Sequence, residues 1–595
     1  MQKYQVNQYL IEFLLASVKT GEIAIPEIQR PFVWDSSKVR DLLDSLYNGF
    51  PVGYIITWKN PNVRLKDGKL SDGKKILIDG QQRVTALTAG ILGYEVVDKT
   101  YRKIRIKIAF NPQTEKFEVQ NPAIVKDKTW IADISEVMNN NSYALVNQYK
   151  ENNPECSEEQ IVKAITNLLD IPKKQVGVID LTSELDIDTV TEIFIRINSK
   201  GVVLSQADFA MSKIASDHLY GGNELRKLID YFCHLAVAPE FYSHIVENDK
   251  DFVSKDVFNK IAWLKNEKDD LYDPDYNDLL RVAFTSTFNR GKLQDLVSLL
   301  SGRDFENRTY EEDIMESSFE KLKVGVLNFV SETNFKRFLM IVRSAGFVSP
   351  RLLRSQNVLN FAYILYLKLL EQKVNDNDIG KYVRKWVVLS MLTGRYSSSP
   401  ESSFDFDIKQ LNEKPFEQFL KEVEDGELSE AFWNALLPQR LDTSVASSPY
   451  FHVFLASQSK LKDRGFLSSD ILTGDLITHR GDIHHLFPKD YLVKSGKDNR
   501  GDYNQVANYV YMQTEINIRV GNKSPKEYFS KIVEDIQNGN TGLTGLSTRE
   551  DLEKNLLENC VPLSIMSMEV NDYETFLNER RKLMAKKMEE YYRSL

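Results

Sequence analysis

Two spacings of hydrophobic residues organise the first 220 positions of the chain. Between Asp35 and Gly49, apolar residues recur at the spacing of one helix face. They are Val39, Leu42, Leu43, Leu46 and Tyr47. This spacing predicts a helix that Asp35 or Ser36 caps and Gly49 ends. Short apolar runs rich in β-branched residues predict strands, and they lie at positions 52–58, 75–79 and 176–181.

The pattern changes twice along the rest of the chain. Alternation of apolar and charged residues from Ile104 to Ile108 predicts one half-buried strand. Long amphipathic stretches then dominate the middle, for example at 319–329 and 358–370. We therefore expect an α+β multidomain protein. Its predicted parts are a mixed domain at 1–220, a helical middle domain at 221–435 and a third domain at 436–595.

Composition limits the compartment and the partners. The three cysteines, Cys156, Cys233 and Cys560, lie far apart and form no CxxC pair, which fits a reducing cytoplasm. We find no apolar run of membrane-spanning length and no signal peptide, so no membrane partner is expected. The net charge of −9 argues against a protein that coats DNA. It does not argue against one local basic cleft.

The C-terminal helix carries a basic cluster, which we interpret as a solvated helix face rather than a DNA contact. Its members are Arg580, Arg581, Lys582, Lys586 and Lys587.

An adjacent histidine pair, His484 and His485, precedes Leu-Phe-Pro488. Phosphodiester hydrolysis needs a base for the attacking water and a cation for the phosphate, and a neutral imidazole suits the base. Neighbouring side chains on a strand point to opposite faces, so both histidines can serve one site only where the strand ends or twists. Pro488 is consistent with such an end. His479 by itself is interpreted as an incidental surface residue.

The segment after the pair continues this pattern. Positions 508–513 alternate as a strand, and Thr514 can cap a short helix that carries Asn517 in its first turn and ends at Gly521. Strand, loop, strand and helix is the layout of a ββα-metal nuclease. The segment resembles the HNH superfamily, within it the form found as the carboxy-terminal half of GmrSD-type, modification-dependent restriction enzymes.

This resemblance implies roles for four residues. His485 matches the general base, and Asn508 matches the asparagine that braces the loop and orients the base. His484 and Asn517 match the ligands of one divalent ion, with Asp482 as a rival of His484 for that role. A neutral amide oxygen suits Mg²⁺ or Mn²⁺ better than zinc. Lys523 can reach a phosphate, although a solvated loop lysine explains it equally well.

The amino-terminal region holds a second motif, Asp79-Gly-Gln-Gln-Arg83. A strand ends at Asp79, Gly80 allows a left-handed turn, and Gln81, Gln82 and Arg83 open a helix. Backbone N–H groups, two amides and a guanidinium then meet at a helix N-terminus, which favours an anion. The alternative is a salt bridge between Asp79 and Arg83 that locks the turn.

Three further segments accompany this motif, at 25–34, 50–53 and 194–201. Together the four segments resemble the amino-terminal domain of GmrSD-type enzymes, whose fold is similar to the ParB and sulfiredoxin group. The resemblance implies that Asp79 and Arg83 act in nucleoside triphosphate hydrolysis, on GTP or ATP. It also implies a nucleotide site. Its residues would be Gln81, Gln82 and Arg83, with Arg30, Arg196 and Asn198 as neighbours.

Three hypotheses follow for the function. The first is a one-chain defence nuclease that senses modified DNA, hydrolyses nucleotide through its amino-terminal domain and nicks or cuts DNA through its carboxy-terminal domain. The second is a nucleotide-hydrolysing regulatory protein whose HNH-like region is a scaffold. The third is a DNA-binding module, against which the set of His484, His485, Asn508 and Asn517 counts. We favour the first. Proteins of a DNA-modification system are expected partners, and a homo-oligomer stays open.

Overall fold

The computed structural model describes residues 3–24, 34–59, 75–97, 103–138, 141–185, 193, 206–217, 219–479, 481, 483–540 and 544–595. Four predicted site residues lie outside these ranges: Arg30, Arg196, Asn198 and Asp482.

The chain divides into two compact units, Met1–Asn259 and Lys260–Leu595. Helices and small sheets occur together, which confirms an α+β protein of more than one unit. The three-domain division and the ParB-like and HNH folds stay predictions. Among the described residues, every helix is too short or too polar to span a bilayer.

The first unit mixes strands and helices. Its strands are β1 (Tyr4–Leu10), β2 (Ile23–Ala24), β3 (Tyr54–Lys59), β4 (Lys75–Asp79), β5 (Val96–Val97), β6 (Lys103–Ile104), β7 (Ile108–Asn111), β8 (Lys116–Val119) and β9 (Gln175–Leu181). Its α-helices are α1 (Ile11–Thr20), α2 (Ser36–Tyr47), α3 (Gln81–Leu92), α4 (Pro122–Lys126), α5 (Ser142–Asn152), α6 (Glu158–Leu169), α7 (Gln206–Ser216), α8 (Gly222–Val237), α9 (Tyr242–Asn248), α10 (Lys250–Val253) and α11 (Asp256–Asn259).

A five-stranded sheet organises the first unit, in the order β1-β9-β3-β4-β2. Strand β3 pairs parallel with β9 and antiparallel with β4, and β1 is antiparallel to β9. The central strand β3 is buried on both faces, with Ile55 0 % and Ile56 2 % exposed. On β4, Leu77 packs with Ile55 and Val84 on one face, and Ile78 packs towards Trp58 on the other. This period of two follows from strand geometry and carries β4 to Asp79 at its end.

The predicted elements around this sheet agree with the structure, with one exception. Helix α2 is capped by the Asp35 side chain, which accepts from the Lys38 N–H. The single strand predicted from Ile104 to Ile108 is wrong, because β6 pairs with β5 and β7 pairs with β8. Arg105 lies in the break and donates to the Ile106 carbonyl at 2.9 Å and to the buried Asp133 carboxylate at 3.1 Å. This ion pair takes the place of continuous strand pairing.

Helices dominate the second unit. They are α12 (Tyr276–Phe288), α13 (Leu293–Leu300), α14 (Glu312–Val330), α15 (Glu332–Ser344), α16 (Gln356–Glu371), α17 (Asp376–Thr393), α18 (Pro400–Glu413), α19 (Phe416–Glu427), α20 (Leu437–Arg440), α21 (Pro449–Leu461), α22 (Thr473–Thr478), α23 (Lys489–Lys494), α24 (Arg500–Tyr503), α25 (Thr514–Val520), α26 (Pro525–Gln537), α27 (Arg549–Glu558) and α28 (Tyr573–Ser594). Two short strands, β10 (Ile483–His485) and β11 (Tyr509–Tyr511), form an antiparallel pair. Helix α25 follows β11 after two residues.

Candidate active site

The histidine pair lies on β10, at the point where strand pairing stops. His484 lies opposite Val510 and His485 opposite Tyr509 in the antiparallel register. One further backbone hydrogen bond joins the Leu486 N–H to the Asn508 carbonyl at 2.9 Å, and α23 begins directly after Pro488. The strand therefore ends beside the pair, as the sequence predicts.

His485 is held by an asparagine side chain. Its Nε2 lies 3.0 Å from Oδ1 of Asn504. The ring also meets Tyr509 edge-on, with centroids 5.3 Å apart, and Tyr503 at 6.4 Å. Burial lowers the pKa of His485 below 6.5, the Asn504 hydrogen bond opposes this shift, and the charge of Lys489 adds to it. The ring is therefore neutral near pH 7 and fixed on one side, as a general base requires.

Asn508 holds the backbone around the site rather than the imidazole. Its side chain is fully buried. Oδ1 accepts from the Phe487 N–H at 2.8 Å, while Nδ2 donates to the carbonyls of Phe487 and Tyr503, each at 3.1 Å. The residue that contacts His485 directly is Asn504, four positions earlier, which the sequence reasoning missed. The only sequence feature that could have indicated Asn504 is its place in the polar run before β11.

Residues from later helices pack against the same segment. The Tyr528 hydroxyl donates to the Leu486 carbonyl at 3.0 Å. The Phe487 ring packs against Tyr573 and Phe576 of α28, with centroids 5.1 and 5.0 Å apart. These contacts fix the backbone between the histidine pair and Pro488.

The interpretation of the α28 basic cluster as a solvated helix face is wrong for Arg580 and Arg581, which are buried. Arg580 is 0 % exposed and donates to the Ala507 carbonyl at 2.7 Å and to the Asn559 carbonyl at 3.2 Å. Arg581 is also buried, and it bonds to the Gln505 side chain at 3.1 Å. The helix therefore reaches the residues on both sides of Val506, next to Asn504 and Asn508. Lys582 and Lys586 do lie on the exposed face of α28, as the sequence predicts.

The predicted metal ligands lie on the first strand and on the helix of the strand–strand–helix segment. His484 is half-buried on β10, and Asn517 is half-buried near the start of α25. No group of three or more histidine, cysteine, aspartate or glutamate side chains is placed to hold a metal ion within the described part of the chain. The Asn517 amide oxygen is a ligand of the type that Mg²⁺ and Mn²⁺ take, and Mg²⁺ keeps several waters with few protein ligands. Lys523 is exposed.

In the first unit, Asp79 and Arg83 form a salt bridge. The sequence analysis gives this salt bridge as the alternative to an anion site. Arg83 Nη2 donates to Asp79 Oδ2 at 2.9 Å, and both side chains are about one-fifth exposed, at 21 % and 19 %. Gly80 has φ +95°, so the left-handed turn predicted between β4 and α3 is confirmed. Gln81 is buried and Gln82 half-buried at the start of α3.

Arg83 also lies over a second glycine turn. Its Nη1 donates to the Val52 carbonyl at 3.3 Å. A Cβ at Gly53 would lie 2.4 Å from that same Nη1. The guanidinium is therefore fixed between Asp79 and the 52–53 turn. Arg83 thus joins two segments that are separate in the sequence, 50–53 and 79–83.

A polar network on the sheet was not predicted. Lys75 Nζ lies 3.0 Å from both carboxylate oxygens of Asp180 and 2.7 Å from the Tyr9 hydroxyl. Asp180 also accepts from Asn7 at 2.7 Å and from Thr57. Burial raises the pKa of Asp180. These hydrogen bonds and the Lys75 charge lower it by more than burial raises it, so the net shift is downward. The network joins β1, β3, β4 and β9 of the five-stranded sheet. Strand β4 is the one that ends at Asp79.

Comparison with known proteins bears on the first unit most directly. Residues 11–215 match the family model "GmrSD restriction endonuclease, N-terminal domain". This match supports a GmrSD-type family, suggests a restriction-type nuclease and implies DNA as its target. The chain is also 22 % identical over 594 residues to the uncharacterized protein MJ0686 of Methanocaldococcus jannaschii, which covers 91 % of this chain and 89 % of that protein.

Proposed function

We propose that the chain is a defence endonuclease whose carboxy-terminal region hydrolyses a DNA phosphodiester with His485 as the general base. The observation that carries this proposal is the hydrogen bond between His485 and Asn504, on an antiparallel strand pair that leads into a helix. The match of residues 11–215 to a restriction endonuclease family supports the same class of activity.

The chain's own residues account for the proton transfer. With Asn504 Oδ1 as acceptor, His485 carries its proton on Nε2, which leaves the lone pair of Nδ1 for the attacking water. Asn508 keeps the loop of Asn504 and the strand end together through Tyr503 and Phe487. His484 and Asn517 would hold Mg²⁺ or Mn²⁺, which when bound stabilises negative charge on the phosphate.

The amino-terminal motif is the proposed nucleotide site. Asp79 and Arg83 would act on a nucleoside triphosphate, GTP or ATP. Gln81 and Gln82 would line the site, with Arg30, Arg196 and Asn198 beside it. A guanidinium fixed at a helix N-terminus favours phosphate, and here Arg83 is fixed by Asp79 and by the Val52 carbonyl. Nucleotide turnover, coupled to recognition of modified DNA, would then control the nuclease.

One experiment tests both activities. The protein is incubated with matched modified and unmodified plasmids, with Mg²⁺ or Mn²⁺ and with GTP, ATP or neither, and nicking and phosphate release are scored together. His485→Ala should abolish cleavage, while His479→Ala, an exposed histidine six positions earlier, should leave it unchanged. Asp79→Ala should remove phosphate release.

The outcomes separate the first two hypotheses. Cleavage by His485→Ala at the wild-type rate would overturn the assignment of the base. Phosphate release that depends on Asp79, without cleavage of any DNA under either divalent ion, would instead support a nucleotide-hydrolysing regulatory DNA-binding protein.

A further inference from the structure

We propose that Lys489 and Arg500 form a binding site for a DNA backbone phosphate beside His485. This inference rests on the nuclease function proposed above and adds the residues that place the substrate. Both residues come from segments that the sequence did not single out.

Lys489 stands close to the candidate base. It is the first residue of α23, four positions after His485, and its side chain is exposed. Its Nζ lies 5.2 Å from the centroid of the Tyr503 ring. The Tyr503 ring is in turn 6.4 Å from the ring of His485. A cation–π contact of this kind restricts the lysine side chain without neutralising its charge.

Arg500 lies on the same helical turn as Tyr503. It opens α24 and is exposed. Residues three apart in a helix lie on the same face, so Arg500 and Tyr503 are neighbours on α24. Both cations are thus placed beside the tyrosine whose ring lies 6.4 Å from that of His485.

Neither cation takes part in an ion pair among the described residues, unlike two nearby lysines. Lys497 pairs with Glu574 at 2.8 Å, and Lys526 with Glu569 at 2.9 Å. Within the described ranges, no carboxylate lies within 4.0 Å of the charged nitrogens of Lys489 or Arg500.

Even the adjacent carboxylate is engaged elsewhere. Asp490 accepts from the Asn522 side chain at 2.9 Å. Two cations without an ion-pair partner among the described residues, placed beside the same ring near His485, form an anion site, and their charge suits a phosphodiester. They also supply a local basic patch on a chain whose net charge is −9.

The experiment measures DNA binding apart from cleavage. Full-length His485→Ala protein in EDTA is titrated onto a fluorescent DNA duplex at several salt concentrations. Lys489→Ala and Arg500→Ala are each added to this background. Lys494→Ala is the matched control, because Lys494 is exposed at the other end of the same helix and takes part in no ion pair with another described residue.

Each test variant should lose one phosphate contact. The logarithmic salt slope of binding should then fall by about 0.9, so that raising salt fourfold weakens binding about threefold less than in the parent. Lys489→Arg should keep the parental slope, and so should Lys494→Ala. Unchanged affinity and slope in both Lys489→Ala and Arg500→Ala would overturn the proposal.

The two proposals fail in different ways. If the slope falls as expected but wild-type protein cleaves no DNA with Mg²⁺ or Mn²⁺, the phosphate site stands and the nuclease does not. If wild-type protein cleaves, the salt slope is unchanged in both variants, and Lys489→Ala and Arg500→Ala introduced into the wild-type chain cleave at its rate, the nuclease stands and the phosphate site does not.

Discussion

Asn508 and Phe487 form a reciprocal pair of hydrogen bonds across 21 residues of sequence. The Phe487 N–H donates to Oδ1 at 2.8 Å, and Nδ2 donates back to the Phe487 carbonyl at 3.1 Å. Both groups are buried, so neither has water as a substitute partner. This pair joins the loop after the histidines to the start of β11.

Loss of this pair should destabilise the second unit. Asn508→Ala removes three hydrogen bonds and leaves the buried Phe487 N–H without an acceptor, which we expect to lower the free energy of unfolding by about 2–4 kcal/mol. Asn504→Ala removes the single bond to His485, so it should change stability by less than about 1 kcal/mol and lower the cleavage rate about 100-fold. Urea unfolding and a plasmid cleavage assay distinguish the two. Equal stability of both variants would contradict the bracing role of Asn508.

Two glycines with the same backbone strain test the Arg83 contact. Gly49 has φ +74° and Gly53 has φ +85°. A Cβ added to Gly49 would have no neighbour within 4 Å, whereas a Cβ added to Gly53 would lie 2.4 Å from Arg83. Substitution by alanine should cost about 1 kcal/mol at each position because of φ alone. Arg83 can swing away from the new methyl group only by leaving its present geometry, in which it pairs with Asp79.

Gly53→Ala should therefore lower phosphate release at least tenfold, and Gly49→Ala should not. Malachite-green measurement of phosphate with GTP and ATP, next to thermal unfolding of both variants, provides the check. Normal phosphate release by Gly53→Ala would show that the position of Arg83 is unimportant for hydrolysis.

The buried arginine of α28 should be more important than its exposed neighbour. Arg580→Met leaves the carbonyls of Ala507 and Asn559 without their donor, so we expect a loss of about 2–3 kcal/mol in the free energy of unfolding. Lys582→Ala, on the exposed face of the same helix, should stay within about 0.5 kcal/mol of wild type. Chemical denaturation of the two variants decides this, and a stable Arg580→Met would mean that the guanidinium does not hold the 505–508 segment.

A buried histidine should make the second unit sensitive to acid. Burial, aided by the charge of Arg354, lowers the pKa of His452 from 6.5 to about 4. The unfolded chain therefore binds more protons than the folded chain between these values, and the free energy of unfolding falls as pH falls from about 6.5 towards 4. From pH 7 to pH 5 this one group should cost about 2 kcal/mol.

The variant His452→Gln should flatten this dependence, while His479→Ala at an exposed position should not. Urea midpoints measured at pH 7, 6 and 5 give the comparison. An unchanged slope in His452→Gln would show that other groups cause the acid sensitivity.

Sequence alone determined the features that depend on near neighbours. Strand β4 and the turn at Gly80 follow from a short apolar run and from the one residue type that adopts positive φ freely. The strand end beside the histidines and the short helix with Asn517 follow in the same way from Pro488 and Gly521. These are local choices of backbone angle and hydrophobic period.

Tertiary structure decided which polar groups meet. The Arg580 guanidinium reaches a carbonyl 73 residues away, Lys75 reaches Asp180 across 105 residues, and Asn504 instead of Asn508 contacts His485. A charge pattern on one helix or strand does not show whether that face is covered, because burial depends on elements far along the chain. For the same reason the sequence placed Arg580 in solvent, although folding buries it and its partners are backbone carbonyls that no pattern of side chains reveals.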